Sequence, residues 1–450
     1  VDKIYLIVYY IVNENKWRNN MNFFNLNSEA EAKLFLMNNP LVTSLLDNDF
    51  YKFTMQQIIF HYFKNKKTKF EFKNRNSIPL APYKEIIEKQ FDFLCNITFL
   101  KEELQYLGQL EVNGERIFKE DYINALQGFR LDRDKISINT KGNDIDIKIK
   151  KDDWFQNIMF EIFVLSIVNG VYSIIEASKN GGVKKFYDQG LDILQEKINF
   201  IKEHPLQSNF NLVDMGTRRR FLNVEYQDRV FKILKEQLPN NVHTTSNVLV
   251  AFRNNVVPAG TMAHEYLQAM QAFVGIEDSQ KYAFELWQKE YGKNKLGIAL
   301  SDVLGMNPFF VSFNKELTES YQGARHDSGC PFEWGDKVIK HYEHFNVDPT
   351  TKTVIFSDGL NIPYAFEILE YFNERVNVVF GIGTNLTNDV GIKPLQIVLK
   401  MTWCNGQSVA KLSDNPAKSM CKDEVYMAEI AGVVKKMNKQ YEKLYEGEFV

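Results

Sequence analysis

From about residue 210 the chain repeats one unit: a short apolar run, a cluster of small or charged residues, then a helical pattern. Strands separated by helices are joined by crossovers, so they pair in parallel. Leu212 and Val213 lead into Asp214, Gly216, Thr217 and Arg218, and Val256 and Val257 lead into Gly260, Thr261 and His264. The run 296–300 leads into Ser301 and Asp302, and Gly323 and Ala324 lead into Arg325, Asp327, Ser328 and Gly329. The run 354–356 leads into Ser357, Asp358 and Gly359, and the run 378–380 leads into Gly381, Gly383 and Thr384. Helical stretches are predicted over 221–238, 333–345 and 363–372. Six such units predict an α/β barrel or a large doubly wound sheet. In both folds chemistry gathers beyond the carboxyl ends of the strands. The polar clusters fall there.

The flanking regions read differently. Residues 41–150 mix short strands and helices. Lys64, Lys66, Lys67, Lys69, Lys73 and Arg75 surround Phe70 and Phe72. That pattern reads as a solvated edge strand, with a patch for phosphate or an acidic partner as the alternative. Over 140–153, Ile145, Ile147 and Ile149 alternate with charges, as in a half-exposed strand. Asn405-Gly406, between strand-like runs at 395–404 and 407–412, predicts a hairpin. Residues 423–445 predict an amphipathic helix.

Two apolar stretches raise the question of a membrane. Residues 154–175 are interrupted by Asn157, Glu161 and Asn169, which favours a buried helix over a span. Residues 4–12 are apolar, but a span needs about 20 such residues, and no small-residue cleavage site follows. Residues 1–20 are therefore read as a non-native or disordered extension, with Met21 a candidate start. The expected division is an N-terminal α+β domain at 21–150, a catalytic α/β barrel at 151–390, and a 391–450 segment. That last segment holds a hairpin returning to the N-terminal domain and a C-terminal helix.

Lysine plus arginine number 54 against 57 acids, a net charge of −3, which argues against a chain-wide electrostatic grip on nucleic acid, though not against a local basic site. None of the four cysteines forms a C-x-x-C pair, so a reducing, cytoplasmic compartment is expected.

Several clusters can carry chemistry. Gly381-Ile-Gly383-Thr384 after a strand reads either as a phosphate loop or as a tight turn. Leu386 stands where a dinucleotide fingerprint needs glycine, and no GxxxxGK[ST] occurs. His264-Glu265 opens like a zinc-protease motif, but Gln268 replaces the second ligand. His264 opens a predicted helix, where negative charge is stabilised, so a phosphate-facing imidazole competes with a structural one. Asp327 and Asp358 offer carboxylates, or serve as caps. Arg325 can fork onto a carboxylate or phosphate. Thr217-Arg218-Arg219-Arg220 places cations where a helix start disfavours them, which points to an anion for at least one of them, with solvated charge as the alternative.

These motifs together resemble the nicotinate phosphoribosyltransferases. The matches are Leu46-Asp-Asn-Asp-Phe-Tyr51-Lys-Phe-Thr-Met55, Gly216-Thr-Arg-Arg-Arg-Phe221 and Gly260-Thr-Met-Ala-His-Glu265. Arg325-His-Asp-Ser-Gly329, Phe356-Ser-Asp-Gly359, Phe380-Gly-Ile-Gly-Thr384 and Val409-Ala-Lys-Leu-Ser-Asp414 complete the set. The resemblance covers about residues 40–425. It implies an irregular, TIM-like α/β barrel of the type II phosphoribosyltransferases, with an additional α+β domain formed by N-terminal and later segments. It implies synthesis of nicotinate mononucleotide and diphosphate from nicotinate and 5-phosphoribosyl 1-diphosphate (PRPP). That reaction, coupled to ATP through a transient phosphohistidine, is the entry to NAD by salvage of nicotinate.

The resemblance also implies site roles. His264 is the phosphorylated residue, and Asp302 orients it. Tyr51, reaching in from the neighbouring subunit of a homodimer, stacks on the base, with Arg218 on its other side. Thr261 and Arg325 contact nicotinate. Asp327, catalytic as well, joins Asp358 and Gly359 in holding the ribose and Mg²⁺-diphosphate. Gly381, Gly383 and Thr384 hold the 5′-phosphate. No direct protein ligand to the Mg²⁺ is assured. One departure stands out: Cys330 follows Arg325-His-Asp-Ser-Gly329 where the family usually has aspartate.

Other readings differ in substrate or class. A nicotinamide enzyme shares the fold, but the arginine run favours an acid. A quinolinate enzyme is a shorter chain without the histidine motif. A silent nucleotide-binding barrel is disfavoured by intact His264, Asp327, Asp358 and Gly383, and a dinucleotide oxidoreductase by Leu386.

Overall fold

The computed structural model describes residues 23–412 and 420–445. The expectations for residues 1–20 and Met21, and the Ser413-Asp414 end of the last motif, lie outside the described residues.

The strands run in chain order as β1 (Lys67–Asn74), β2 (Glu111–Val112), β3 (Glu115–Arg116), β4 (Ile136–Lys141) and β5 (Asp144–Asp153). They continue as β6 (Leu212–Asp214), β7 (Val242–Thr245), β8 (Ile298–Leu300) and β9 (Gly323–His326). The last are β10 (Thr353–Phe356), β11 (Asn377–Ile382), β12 (Ile397–Cys404) and β13 (Gln407–Ser408). Two sheets hold most of them. One is antiparallel, in the order β13-β12-β1-β5-β4. The other is parallel, in the order β7-β6-β11-β10-β9-β8.

The parallel order is that of a ring. Strands β8 to β11 follow in sequence, β11 pairs with β6, and β6 with β7. No ladder joins β7 to β8 among the described residues, so the backbone pairing stays open there. The segment before His264 spans the opening. Ala259 N–H donates to Thr245 O on β7 at 2.9 Å, and Thr261 Oγ1 donates to Ile298 O on β8 at 2.8 Å.

Five of the six predicted strand positions are strands. The exception is Val256 and Val257, which lie in irregular chain; the second parallel strand is β7 instead. Pro258 has no N–H to give a ladder, and Gly260 adopts φ +143°, outside any strand conformation. Nor is the lysine-rich β1 an edge strand. It lies between β12 and β5, with Phe70 and Phe72 buried. Its lysines were read as edge protection, but they line the half-exposed face of an inner strand. The alternation over 140–153 proved to be the end of β4, a turn at Gly142, and β5 with Ile145, Ile147 and Ile149 buried.

The helix Phe160–Lys179 runs through the core. Among the described residues, only the helical stretch Trp154–Lys179 is long and apolar enough to cross a membrane. Of its apolar window, 94% is buried inside the protein. Its hydroxyls cost little, because Ser166, Ser173 and Ser178 each donate to a carbonyl three or four residues back. Gly170 lets the chain at Leu222 pass close: a Cβ there would stand 2.6 Å from Leu222 O. The Asn405-Gly406 hairpin forms as predicted, with Asn405 at φ 43° and Gly406 at φ 111°. Its second strand stops at Ser408 because the chain then turns toward the parallel sheet, where Leu412 N–H donates to Val303 O.

Candidate active site

A cavity of about 730 Å³ opens over the carboxyl ends of the parallel strands. The turn after β6 contributes Gly216, Arg218 and Arg219; the turn before the helix His264–Val274 contributes Gly260 and His264. Arg325 and Asp327 come from the end of β9, Ser357 and Gly359 from the turn after β10, Gly381 from β11, and Gly383 and Thr384 from the turn that follows it. The antiparallel sheet closes the other side with Lys400 on β12 and with Lys411.

His264 is the first residue of its helix, so its ring stands at the positive end of the helix dipole. Its Nε2 lies 2.7 Å from Asp302 Oδ1 and 3.3 Å from Asp327 Oδ2. Lys411 Nζ is 2.9 Å from the same nitrogen and also donates to Asp302 Oδ2. Ser328 Oγ donates to Asp302 Oδ2 at 2.7 Å. Burial alone would raise the Asp302 carboxyl. The charges of His264 and Lys411 outweigh that effect and hold it well below the usual carboxylate range. Asp302 thus remains ionised behind the imidazole and fixes its orientation.

The arginine run divides. Arg220 is buried and forks onto Asp47, with Nη1 donating to Oδ1 at 2.6 Å and Nη2 to Oδ2. Arg218 and Arg219 face the cavity. Burial opposes the charge of Arg218, but Tyr51, Glu161, Asp327 and Asp49 outweigh it and raise its pKa. Arg219 is pushed down to about 9 by burial and by the positive charges of Arg218 and Arg75, and its Nε has no protein partner. Lys400 falls to about 8 through burial and through Arg75 and Lys411. Arg325 lends Nη2 to Met262 O at 3.2 Å, and its buried Nε is also unpartnered. Several acids on the wall are already committed. Glu161 and Glu265 share Lys52, and Asp389 pairs with Lys197. The cavity therefore holds cations that an anion would stabilise.

The glycine turn packs closely against Met215. A Cβ on Gly381 would stand 2.4 Å from Met215 Sδ, and one on Gly383 would stand 2.8 Å from Met215 O. At Gly383 the clash is with backbone, so the close approach of the chain after β6 demands glycine there whatever ligand the turn meets, whereas at Gly381 the flexible Met215 side chain could yield.

Two expected residues stand off the cavity wall, whereas Tyr51 lies on it. Tyr51 lines the cavity of its own chain, its backbone against Gly260. Thr261 is buried off the wall, and its hydroxyl proton goes to Ile298 O. Asp358 is exposed and not on the wall, although its charge reaches Arg219 and His326. Cys330 is exposed at the N-cap of the helix Pro331–His344, also off the wall. Lys400 was not singled out from the sequence, and Arg219 was named only within the arginine run. Lys411 was quoted only within a motif. Nothing in the sequence places Lys411 near His264, 147 residues away.

An α/β enzyme for anionic small molecules is the class that this sheet and cation-lined cavity define. Family models narrow it: the chain matches the nicotinate phosphoribosyltransferase (NAPRTase) family over residues 210–442 and the NAPRTase N-terminal domain over 46–169. The nicotinate phosphoribosyltransferase of Burkholderia mallei is 45% identical over 393 residues, covering 86% of this chain and 95% of that protein. The one from Bordetella petrii is 44% identical over 391 residues, covering 86% and 97%. The crystal structure of nicotinate phosphoribosyltransferase from Vibrio cholerae superposes with a TM-score of 0.81 at 34% identity, over 90% of this chain and 99% of that one. The chain belongs to the nicotinate phosphoribosyltransferase family.

Proposed function

We propose that the cavity joins nicotinate to PRPP, the entry step of NAD salvage from nicotinate. The nicotinate ring nitrogen forms a bond to C1 of the ribose. The C1–O bond to diphosphate breaks, and diphosphate leaves with the electron pair. In the coupled reaction an imidazole nitrogen of His264 takes the γ-phosphoryl of ATP, and ADP leaves. Water later removes that phosphoryl as inorganic phosphate.

The carrying observation is His264 itself, an imidazole held by Asp302, with the Lys411 ammonium alongside, on the wall of a cation-rich cavity. Asp302 sets its tautomer, and the helix start and Lys411 stabilise the phosphoryl charge. Tyr51 and Arg218 frame the flat, acidic base. The free Nε of Arg325 suits an oxygen of nicotinate or the sugar. Gly359, Gly381, Gly383 and Thr384 receive the phosphate end, with Arg219 and Lys400 supplying charge.

Mg²⁺ takes oxygen ligands and keeps several waters. The ligand atoms of His264, Asp302 and Asp327 lie within 4.8 Å of one another, but the imidazole and the Lys411 ammonium suit Mg²⁺ poorly. The residues fit Mg²⁺ carried on the diphosphate, with Asp327 on the wall as a nearby oxygen. There it would neutralise the departing charge. The expected assembly is a homodimer. The four free cysteines support a cytoplasmic setting.

The test is product formation from nicotinate, PRPP and Mg²⁺, with and without ATP, and with nicotinamide in parallel. Nicotinate mononucleotide, increased by ATP, is expected. Product from nicotinamide alone would change the substrate, and no product from either would sink the reading.

A further inference from the structure

Lys52 is fully buried between two carboxylates. Its Nζ lies 2.6 Å from Glu161 Oε2 and also pairs with Glu265 Oε1. Burying an ammonium costs several kcal/mol before pairing, and apolar packing usually serves stability as well. A role beyond stability is therefore worth seeking.

The same turn of helix makes two more contacts. Thr54 Oγ1 donates to Thr261 O at 2.7 Å, and Ala263 N–H points to Met55 Sδ at 3.3 Å. Lys52, Thr54 and Met55 thus grip residues 265, 261 and 263, on both sides of His264. Tyr51, one residue earlier, lines the cavity. Glu161 begins the core helix Phe160–Lys179, so Lys52 also ties both site elements to the most deeply buried part of the fold.

We propose that Lys52 is a positioning residue that locks the His264 turn to the Tyr51 helix, so that phosphoryl acceptance and base binding keep one fixed spacing. This rests on the reading of His264 and Tyr51 above. A phosphorylated His264 carries added negative charge, which pushes on the neighbouring acids Asp327 and Glu265. The Lys52–Glu265 pair holds the turn against that push. Misplacement of about 1 Å at a reacting group can cost about a hundredfold in rate.

The experiment compares wild type, Lys52→Met, Lys52→Arg and Thr54→Val. Each is assayed for phosphohistidine formed from ATP alone, for the ratio of turnover with and without ATP, for nicotinate KM, and for Tm. Lys52→Met is expected to cut phosphohistidine formation and the ATP ratio by about tenfold or more and to raise nicotinate KM. Lys52→Arg should restore part of both, and Thr54→Val should show the same pattern at smaller size. A structural role alone would lower Tm and leave the ATP ratio unchanged; that result in Lys52→Met and Thr54→Val overturns the proposal. If Lys52→Met does not fold, Thr54→Val decides. Wild type that forms product but no phosphohistidine would overturn the role of His264, and this proposal with it. Phosphohistidine formed normally in wild type and in both variants would overturn this proposal alone.

Discussion

The two sheets supply the site in different ways. The parallel sheet delivers its polar residues at strand ends, so each sits close in sequence to an apolar run: Arg218 after β6, Asp302 after β8, Asp327 after β9. The antiparallel sheet delivers Lys400 from within β12 and Lys411 from the chain beyond the β13 hairpin. Parallel strands point their carboxyl ends the same way, so their turns converge on one mouth. Antiparallel strands have no common end. Their contributions depend on which face or return segment happens to reach the mouth. The first kind of residue can be found by pattern; the second needs the fold.

Breaking each side in turn should separate these contributions. The largest effect is expected from His264→Ala on the parallel side. It should abolish ATP-stimulated turnover and the acid-labile phosphoprotein, and label persisting in that variant would refute the assignment.

Next comes the contrast within one turn. Arg220→Met leaves Asp47 as a buried, unpaired carboxylate and should cost about 3–5 kcal/mol of stability by chemical denaturation. Arg219→Gln should leave stability nearly intact and raise the KM for PRPP. Equal loss of stability in both variants would show that the run is structural throughout.

On the antiparallel side, the expected effect is one of pH. Lys400 has its pKa lowered to about 8, so in the free protein it loses its charge as pH rises through that value. An anion bound beside it favours the protonated form. Affinity for PRPP should therefore weaken several-fold between pH 7 and 9, and this part of the profile should flatten in Lys400→Met. The sign for folding is opposite. A cation whose pKa is lowered on folding opposes stability at low pH, and that penalty fades as pH rises from about 8 toward the ordinary lysine value. Stability and PRPP affinity should thus move in opposite directions over this window. An affinity that does not fall over this window, or a fall that persists unchanged in Lys400→Met, would place Lys400 away from the anion.

The smallest effect is expected at Cys330. Cys330→Asp adds a good N-cap, worth about 0.5–2 kcal/mol, to the helix Pro331–His344. Because Cys330 lies off the cavity wall, PRPP affinity should change little, and a large tightening would bring that turn into the site.

Much of this was legible beforehand. The apolar runs at 212, 298, 323, 354 and 378 became parallel strands, because buried parallel strands are short and continuously apolar. Val256 and Val257 looked the same but precede Pro258 and Gly260, and backbone chemistry overrode the apolar signal. β7, at Val242–Thr245, was missed because its His243 and Thr244 carry no such run. β1 looked like an edge because its lysines are those of a protected edge, yet pairing partners from 144–153 and 397–404 enclose it.

By itself the sequence determined the α/β rhythm, the motif set that places the chain in its family, and the histidine at a helix start. These depend on residues near one another along the chain, where spacing and turn chemistry act directly. Tertiary structure alone decided which arginine of three entered the core, that Tyr51 meets its own cavity, and that Thr261 bridges the open side of the sheet. It alone also brought Lys411 to His264 and Lys52 to both glutamates. Those outcomes come from packing between distant segments. There burial makes a charge costly until a partner arrives, and only the folded chain brings that partner.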